Sequence, residues 1–187
     1  LQTKKKVEKH LSTFRFDEAA KVIYHFVWHS YCDWYIEFLK PVFDSKQKER
    51  LEESRNFASY IESCILIMLH PFIPFVTEKL WLDLKLDKYF KTPLMLKDWN
   101  FPDNIGVTFR DSHKKIDWLT KLITNIRSSK VTLDISPGSF IEISINELKT
   151  EKQNIIKNNT ILFKRLARIS NILDSKTDKN GVKIVVG

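Results

Sequence analysis

The chain has 187 residues, 43% hydrophobic and 29% charged, with a formal net charge of +8. Those figures describe a soluble globular protein with room for one good core or two small units. No run approaches the ~20 apolar residues of a membrane span, and nothing has the pattern of a signal peptide. Two cysteines, Cys32 and Cys64, each sit inside an apolar helical pattern; they make no disulfide framework and read as buried thiols. The chain opens on Leu1 rather than Met and so reads as a fragment of something longer.

The charge is uneven. Residues 1–15 hold five Lys/Arg against one acidic residue, residues 16–100 eleven against thirteen, and residues 101–187 fifteen against nine. Basic ends around a near-neutral middle point to a polyanionic partner met at particular surfaces. The competing reading is that lysines merely keep the protein soluble.

In chain order, Thr3–Leu11 reads as the tail of a helix. Phe14-Arg15-Phe16 is a short connection, and Asp17 is the expected N-cap of a central helix. Residues 19–41 carry Tyr24, Phe26, Trp28, Tyr31, Trp34, Tyr35 and Phe38. Ala20, Tyr24, Val27, Tyr31, Trp34, Tyr35 and Phe38 follow one helical face, widened by Trp28, Cys32, Ile36 and Leu39. A helix so apolar is expected to be surrounded by others, with Pro41 at or just beyond its end. Asp44-Ser45 offers the next N-cap. From Lys46 a second helix carries Leu51, Ala58, Ile61, Ile65 and Leu69, growing more apolar toward Leu69. His70-Pro71-Phe72-Ile73-Pro74 breaks it, and Pro74 is placed to open a third helix to about Leu84.

Residues 88–111 read as a long surface connection anchored by Trp99 and Phe101. A fourth helix is expected from Ser112 to about Ser128, with Ile116, Leu119, Ile123 and Ile126 on one face. Val131–Ile135 reads as extended, Pro137-Gly138 as a turn, and Phe140–Ile145 as an alternating strand. Helices from about Glu147 to Lys157 and Thr160 to Leu173 precede a last strand, Val182–Val186. The expected fold is mainly α: a helical bundle over residues 1–100, then its fourth helix with a small strand-helix-helix-strand unit over residues 101–187.

Catalytic residues are not evident. His25, His29, Cys32 and Asp33 share a helix surface, but one helix without converging ligands makes a polar strip of i, i+4 pairs better than a zinc site. No nucleophile has a partnered base, and the glycines are isolated. His70 reads as a structural histidine at the helix break. The basic residues are more informative. Lys164, Arg165 and Arg168 lie opposite Leu162, Phe163, Leu166, Ile169 and Leu173 on one amphipathic pattern. Arg127 and Lys130 mark the end of the fourth helix, within reach of a phosphate. Arg15 beside Phe16 pairs a guanidinium with a ring able to stack on a base.

Two segments carry a family resemblance. Leu69-His70-Pro71-Phe72-Ile73-Pro74-Phe75-Val76-Thr77-Glu78-Lys79-Leu80-Trp81 resembles the helix–break–helix signature in the anticodon-binding bundle of class I aminoacyl-tRNA synthetases. Phe26-Val27-Trp28-His29-Ser30-Tyr31-Cys32-Asp33-Trp34-Tyr35-Ile36-Glu37, preceded by Arg15-Phe16 and Ala19-Ala20, resembles the valyl-tRNA synthetases. Leu122–Arg127 and Ser136-Pro137-Gly138 are similar to a later helix and turn of that family.

The resemblance implies a C-terminal, tRNA-binding piece of a valine–tRNA ligase, with no metal, cofactor or catalytic residue of its own. The family's His-Ile-Gly-His and Lys-Met-Ser-Lys-Ser signatures are absent from the chain, as are the first helix of the bundle and the terminal coiled coil. ATP and magnesium belong to the parent enzyme. The implied partners are valine tRNA and the upstream catalytic domain, in a cytoplasmic monomer that meets no membrane. Arg15, Phe16, Arg127 and Lys130 are the expected tRNA contacts, with Lys4, Lys5 and Lys6 on the backbone. A helical protein-interaction module with no nucleic-acid role is the alternative.

Overall fold

The computed structural model describes residues 2–44, 48–99, 109–146 and 148–173. The expected cap at Ser45, the anchor at Phe101 and the strand at residues 182–186 lie outside the described residues. The chain divides into two compact units, Leu1–Gly106 and Val107–Gly187. Among the described residues it is mainly α-helical, with one small sheet.

In the first unit, α1 (Gln2–Ser12) turns into a helix that runs without a break to Phe43. Its three parts are α2 (Phe16–His25), a π-helical segment (Phe26–Ile36) and α3 (Glu37–Phe43). Asp17 is not the N-cap: the helix starts at Phe16, and Asp17 sits inside the first turn with Glu18, where carboxylates complement the helix dipole. Pro41 lies inside α3, two residues from its end, where one lost backbone donor is tolerated. Tyr24 stacks on Trp28 (centroids 6.2 Å apart) and Tyr31 on Tyr35 (5.6 Å), both four residues apart. None of the eleven residues of the π segment is fully buried, and Tyr24 and Trp28 are more than half exposed. The aromatic helix is therefore not surrounded, contrary to what its composition predicts. It packs on α4 (Lys48–Leu69) through α2 and α3, and its remaining aromatics stay half-buried.

The core instead gathers where α1, α2, α4 and α5 (Pro74–Asp83) meet. Val7, Ala19, Ile23, Leu66, Ile67, Met68 and Trp81 form it, joined by Leu86 and Leu94. Trp81 is fully buried; its ring stacks on Phe90 at 5.1 Å, and its Nε1 donates to the Thr92 carbonyl at 3.1 Å. The expected surface connection is thus partly helical. Residues Leu86–Phe90 form α6 and Leu94–Leu96 a 3₁₀ turn, whose first amides donate to the Glu78 carboxylate at 3.1 and 3.0 Å. Trp99 anchors as expected, its Nε1 donating to Glu8 Oε1 at 3.0 Å. Pro74 opens α5 at its first turn, as its lack of an N–H allows. Across the break, His70 Nδ1 and the fully buried Thr77 Oγ1 are 2.8 Å apart.

In the second unit, α7 runs from Arg110 to Thr132, so Val131 and Thr132 are helical rather than extended. The extended geometry expected there loses to the buried stripe of Leu119, Ile123, Ile126 and Lys130, which extends one turn further than the apolar residues alone indicate. Strand β1 (Ile141–Ser144) pairs in parallel with β2 (Ile169–Leu173), and the crossover is α8 (Thr150–Asn158) and α9 (Thr160–Ala167). The second crossover helix therefore stops before Arg168, which takes a left-handed conformation (φ 54°) and turns the chain into β2. Ile169 and Leu173 belong to that strand, not to the amphipathic helix face expected of them.

Replacing Thr77 with Val removes the hydroxyl that meets His70 and the Ile73 carbonyl. We expect it to lower stability by about 1–3 kcal/mol, read from the denaturant midpoint. Burial pushes the Tyr31 and Tyr60 phenols up from 10.0 to about 12. The folded state then holds those protons more tightly than the unfolded chain. Their contribution is intact below pH 10.0 and is lost as pH climbs toward about 12. Helical circular dichroism should fall together with a late rise in tyrosinate absorbance; a single ordinary tyrosine titration with helicity retained would contradict this.

Candidate nucleic-acid interface

Helix α1 ends in a Schellman turn. The Phe14 amide donates to the Leu11 carbonyl at 3.1 Å and the Arg15 amide to the His10 carbonyl at 2.8 Å, with Phe14 at φ 58°. This turn throws both flanking rings outward: Phe14 is 80% exposed and Phe16 54%. Their centroids are 6.3 Å apart with planes at 80°. Between them, Arg15 faces the Asp17 carboxylate at 3.5 Å and Glu18 at 3.4 Å, while Lys21 takes the same Glu18 oxygen at 2.9 Å. The Glu18 backbone amide, more than Arg15, holds the Asp17 carboxyl below its ordinary value. These exposed pairs add little stability, so a phosphate can compete for Arg15 and Lys21 without a large folding penalty.

The lysine run of α1 divides by burial. Lys5 and Lys6 are exposed, whereas Lys4 is buried with its ammonium 3.5 Å from Glu8. Glu8 in turn holds Trp99, so Lys4 supports the packing of residue 99 rather than offering charge at the surface. Lys6 lines an open groove of ≈ 600 Å³ along α1 and the central helix, with Lys21, His25 and His29. His25 and His29 lie ring over ring at 5.3 Å, and His29 Nδ1 is 3.4 Å from Asp33. That is the polar strip expected of these residues. Among the described residues, no group of three or more His, Cys, Asp and Glu side chains is placed to hold a metal ion. Both cysteines are half-buried, and burial raises the Cys64 thiol.

The second unit treats its two expected contacts differently. Arg127 is exposed, its Nε donating to the Leu166 carbonyl at 2.9 Å. Lys130, expected to reach a phosphate, is 2% exposed. Its ammonium donates to the carbonyls of Pro137 (3.2 Å) and Ser139, closing the turn that leads to β1. Burial, with Arg168 and Arg127 nearby, pushes the Lys130 ammonium below its ordinary value. Arg168 lies over the Phe140 ring at 5.6 Å. Sequence spacing shows Lys130 at a helix end; the return of residues 137–139 that buries it is a tertiary event.

Helix–break–helix packing around a buried tryptophan, with a basic α1 and an exposed aromatic–arginine turn, agrees with what the comparisons find. The profile described as "Anticodon-binding domain of tRNA ligase" matches residues 2–145, and the chain belongs to that family. Within it, the similarity is to valine–tRNA ligases. The chain is 43% identical, over all of its length, to the valine–tRNA ligase of Pelagibacter ubique. It is 34% identical over 99% of its length to that of Agrobacterium fabrum, and 32% over 97% to that of Brucella suis. It spans about one-fifth of the length of each: 21%, 19% and 20%.

Replacing Lys130 with Met strips the Pro137 and Ser139 carbonyls of their donor. The expected outcome is a loss of about 1–3 kcal/mol, with faster amide exchange over residues 135–141. Unchanged exchange there would show that the ammonium does not hold the turn.

Proposed function

We propose that this chain is the anticodon-reading module of a valine–tRNA ligase. In the longer protein, other domains would activate valine with ATP and magnesium and transfer it to tRNA, while this module contributes no cofactor or catalytic group. Residues 1–100 would serve as the anticodon-binding bundle, with residues 101–187 supplying a further helix and the small α/β subdomain. The partners would be valine tRNA and the upstream catalytic domain, in a monomeric cytoplasmic enzyme.

One observation carries the reading: in a domain of the anticodon-binding family, the α1–α2 turn presents a cation and a ring to solvent side by side. Arg15 would meet backbone phosphate and the exposed face of Phe16 an unstacked base, with Lys5 and Lys6 along the stem. Arg127 would contact phosphate from the second unit. Lys4 and Lys130 would act behind the surface, through Glu8 and the turn at Pro137 and Ser139. The interaction-module reading draws on one feature, the exposed apolar side of α5 at Ile73, Phe75 and Val76. In our reading that surface meets the upstream part of the same protein.

The test is tRNA binding by the full-length protein across a salt series. We expect affinity to fall steeply with salt, replacement of Lys5 and Lys6 by Ala to flatten the slope by about one unit each, and a changed valine anticodon to weaken binding. Salt-independent affinity, or indifference to the anticodon, would remove the proposal.

A further inference from the structure

We infer that Phe14, with Phe16, forms an aromatic corner that receives one unstacked anticodon-loop base of the tRNA; this rests on the anticodon-reading function proposed above. The starting point is a conflict between the residue and its backbone. Position 14 closes the Schellman turn after α1 in the left-handed region, at φ 58°. Glycine or asparagine suits that position, because a Cβ there crowds the following carbonyl. Among the described residues, five non-glycine residues take positive φ: Phe14, Lys85, Lys91, Asp134 and Arg168. Phe14 is the one apolar member.

Burial does not explain it. The Phe14 ring is 80% exposed and stands outside the core cluster of its unit. Its ring contact is with Phe16, itself 54% exposed. A strained backbone that holds a large apolar ring in water contributes nothing to folding that glycine would not provide better. What it does achieve is aim: the left-handed turn swings the ring beside that of Phe16, edge to face.

The angle between the rings says what fits. At 80° and 6.3 Å they cannot sandwich a flat group. They form a corner in which a planar ring stacked on one face turns its edge toward the other, the two arrangements aromatic pairs prefer. The occupant must therefore be planar, aromatic and joined to negative charge. Arg15 lies between the two in sequence, paired with Asp17 and Glu18 at the surface, from which a phosphate can draw it, and the first fifteen residues carry five cations against one acid. A nucleobase with its flanking phosphates meets each requirement, and an apolar side chain of a protein partner leaves the cations without a role.

The experiment compares Phe14→Gly and Phe14→Trp in the full-length protein, with valine tRNA carrying 2-aminopurine at the second or third anticodon base. Phe14→Gly removes the ring and supplies the residue the backbone favours. We expect about tenfold or greater loss of affinity, brighter 2-aminopurine at one position, and an unfolding temperature unchanged or raised. Phe14→Trp should keep affinity and quenching. Wild-type affinity and quenching in Phe14→Gly would overturn the inference. So would a fall in unfolding temperature alongside affinity, which would make Phe14 a packing residue. If the unmodified protein ignores the anticodon, the functional reading itself fails; if it discriminates and Phe14→Gly discriminates equally, the corner alone fails.

Discussion

Trp81 can be buried only if its indole N–H finds an acceptor and its rings find partners, and the rest of the first unit is arranged around meeting both needs. The chain leaving α5 must come back, and it does: Thr92 supplies the carbonyl and Phe90 the stacked ring. Glu78, one turn earlier on the same helix, takes the amides of Leu94 and Met95 and so fastens the return. An unpaired indole N–H in an apolar site would cost more than the contact gains, so these bonds act as one unit. The His70–Thr77 contact sets the path across the two prolines, and Val7, Ala19 and Ile23 of the first helices pack into the same cluster. The helix–break–helix signature is therefore a scaffold. Its consequence for function is indirect: it fixes α1 against α2 and so fixes the turn between them.

The central helix illustrates how winding overrides composition. A 3.6-residue period gathers the aromatics onto one broad face, but the i→i+5 bonds of residues 26–36 spread them around a wider cylinder. Side chains four apart remain neighbours through the change of winding, as they are on an α-helix, and Tyr24–Trp28, Tyr31–Tyr35 and His25–His29 all pair ring to ring. The pairs shield one another in place of a surrounding bundle. The edge bearing Lys21, His25 and His29 lines the open groove rather than a closed core.

Charge follows the same division between count and placement. Two lysines that look equivalent to their neighbours in sequence, Lys4 and Lys130, are drawn inside to satisfy a carboxylate and two carbonyls. Of the expected contacts, Lys5, Lys6, Arg15 and Arg127 stay outward, and Arg15 pairs with the exposed Asp17 and the half-buried Glu18. Surface pairs of that kind are weak in water and exchange readily for a phosphate, whereas the buried ammonium of Lys130 cannot leave without undoing its turn.

Local chemistry in the sequence determined most helices, the break at Pro71 and Pro74, the strand at Ile141 and the family, because periodicity, proline and motif residues act over a few neighbours. It also singled out Arg15 and Phe16 as adjacent cation and ring. Four features were decided only by tertiary structure. The π winding of residues 26–36 and the left-handed Phe14 depend on packing and turn closure that no local pattern announces. The end of α9 before Arg168 depends on a strand partner 27 residues earlier, since the Ile141 amide bonds the Arg168 carbonyl. The burial of Lys4 and Lys130 depends on groups that only the fold brings to them, because a lysine in sequence carries no mark of where its ammonium will rest.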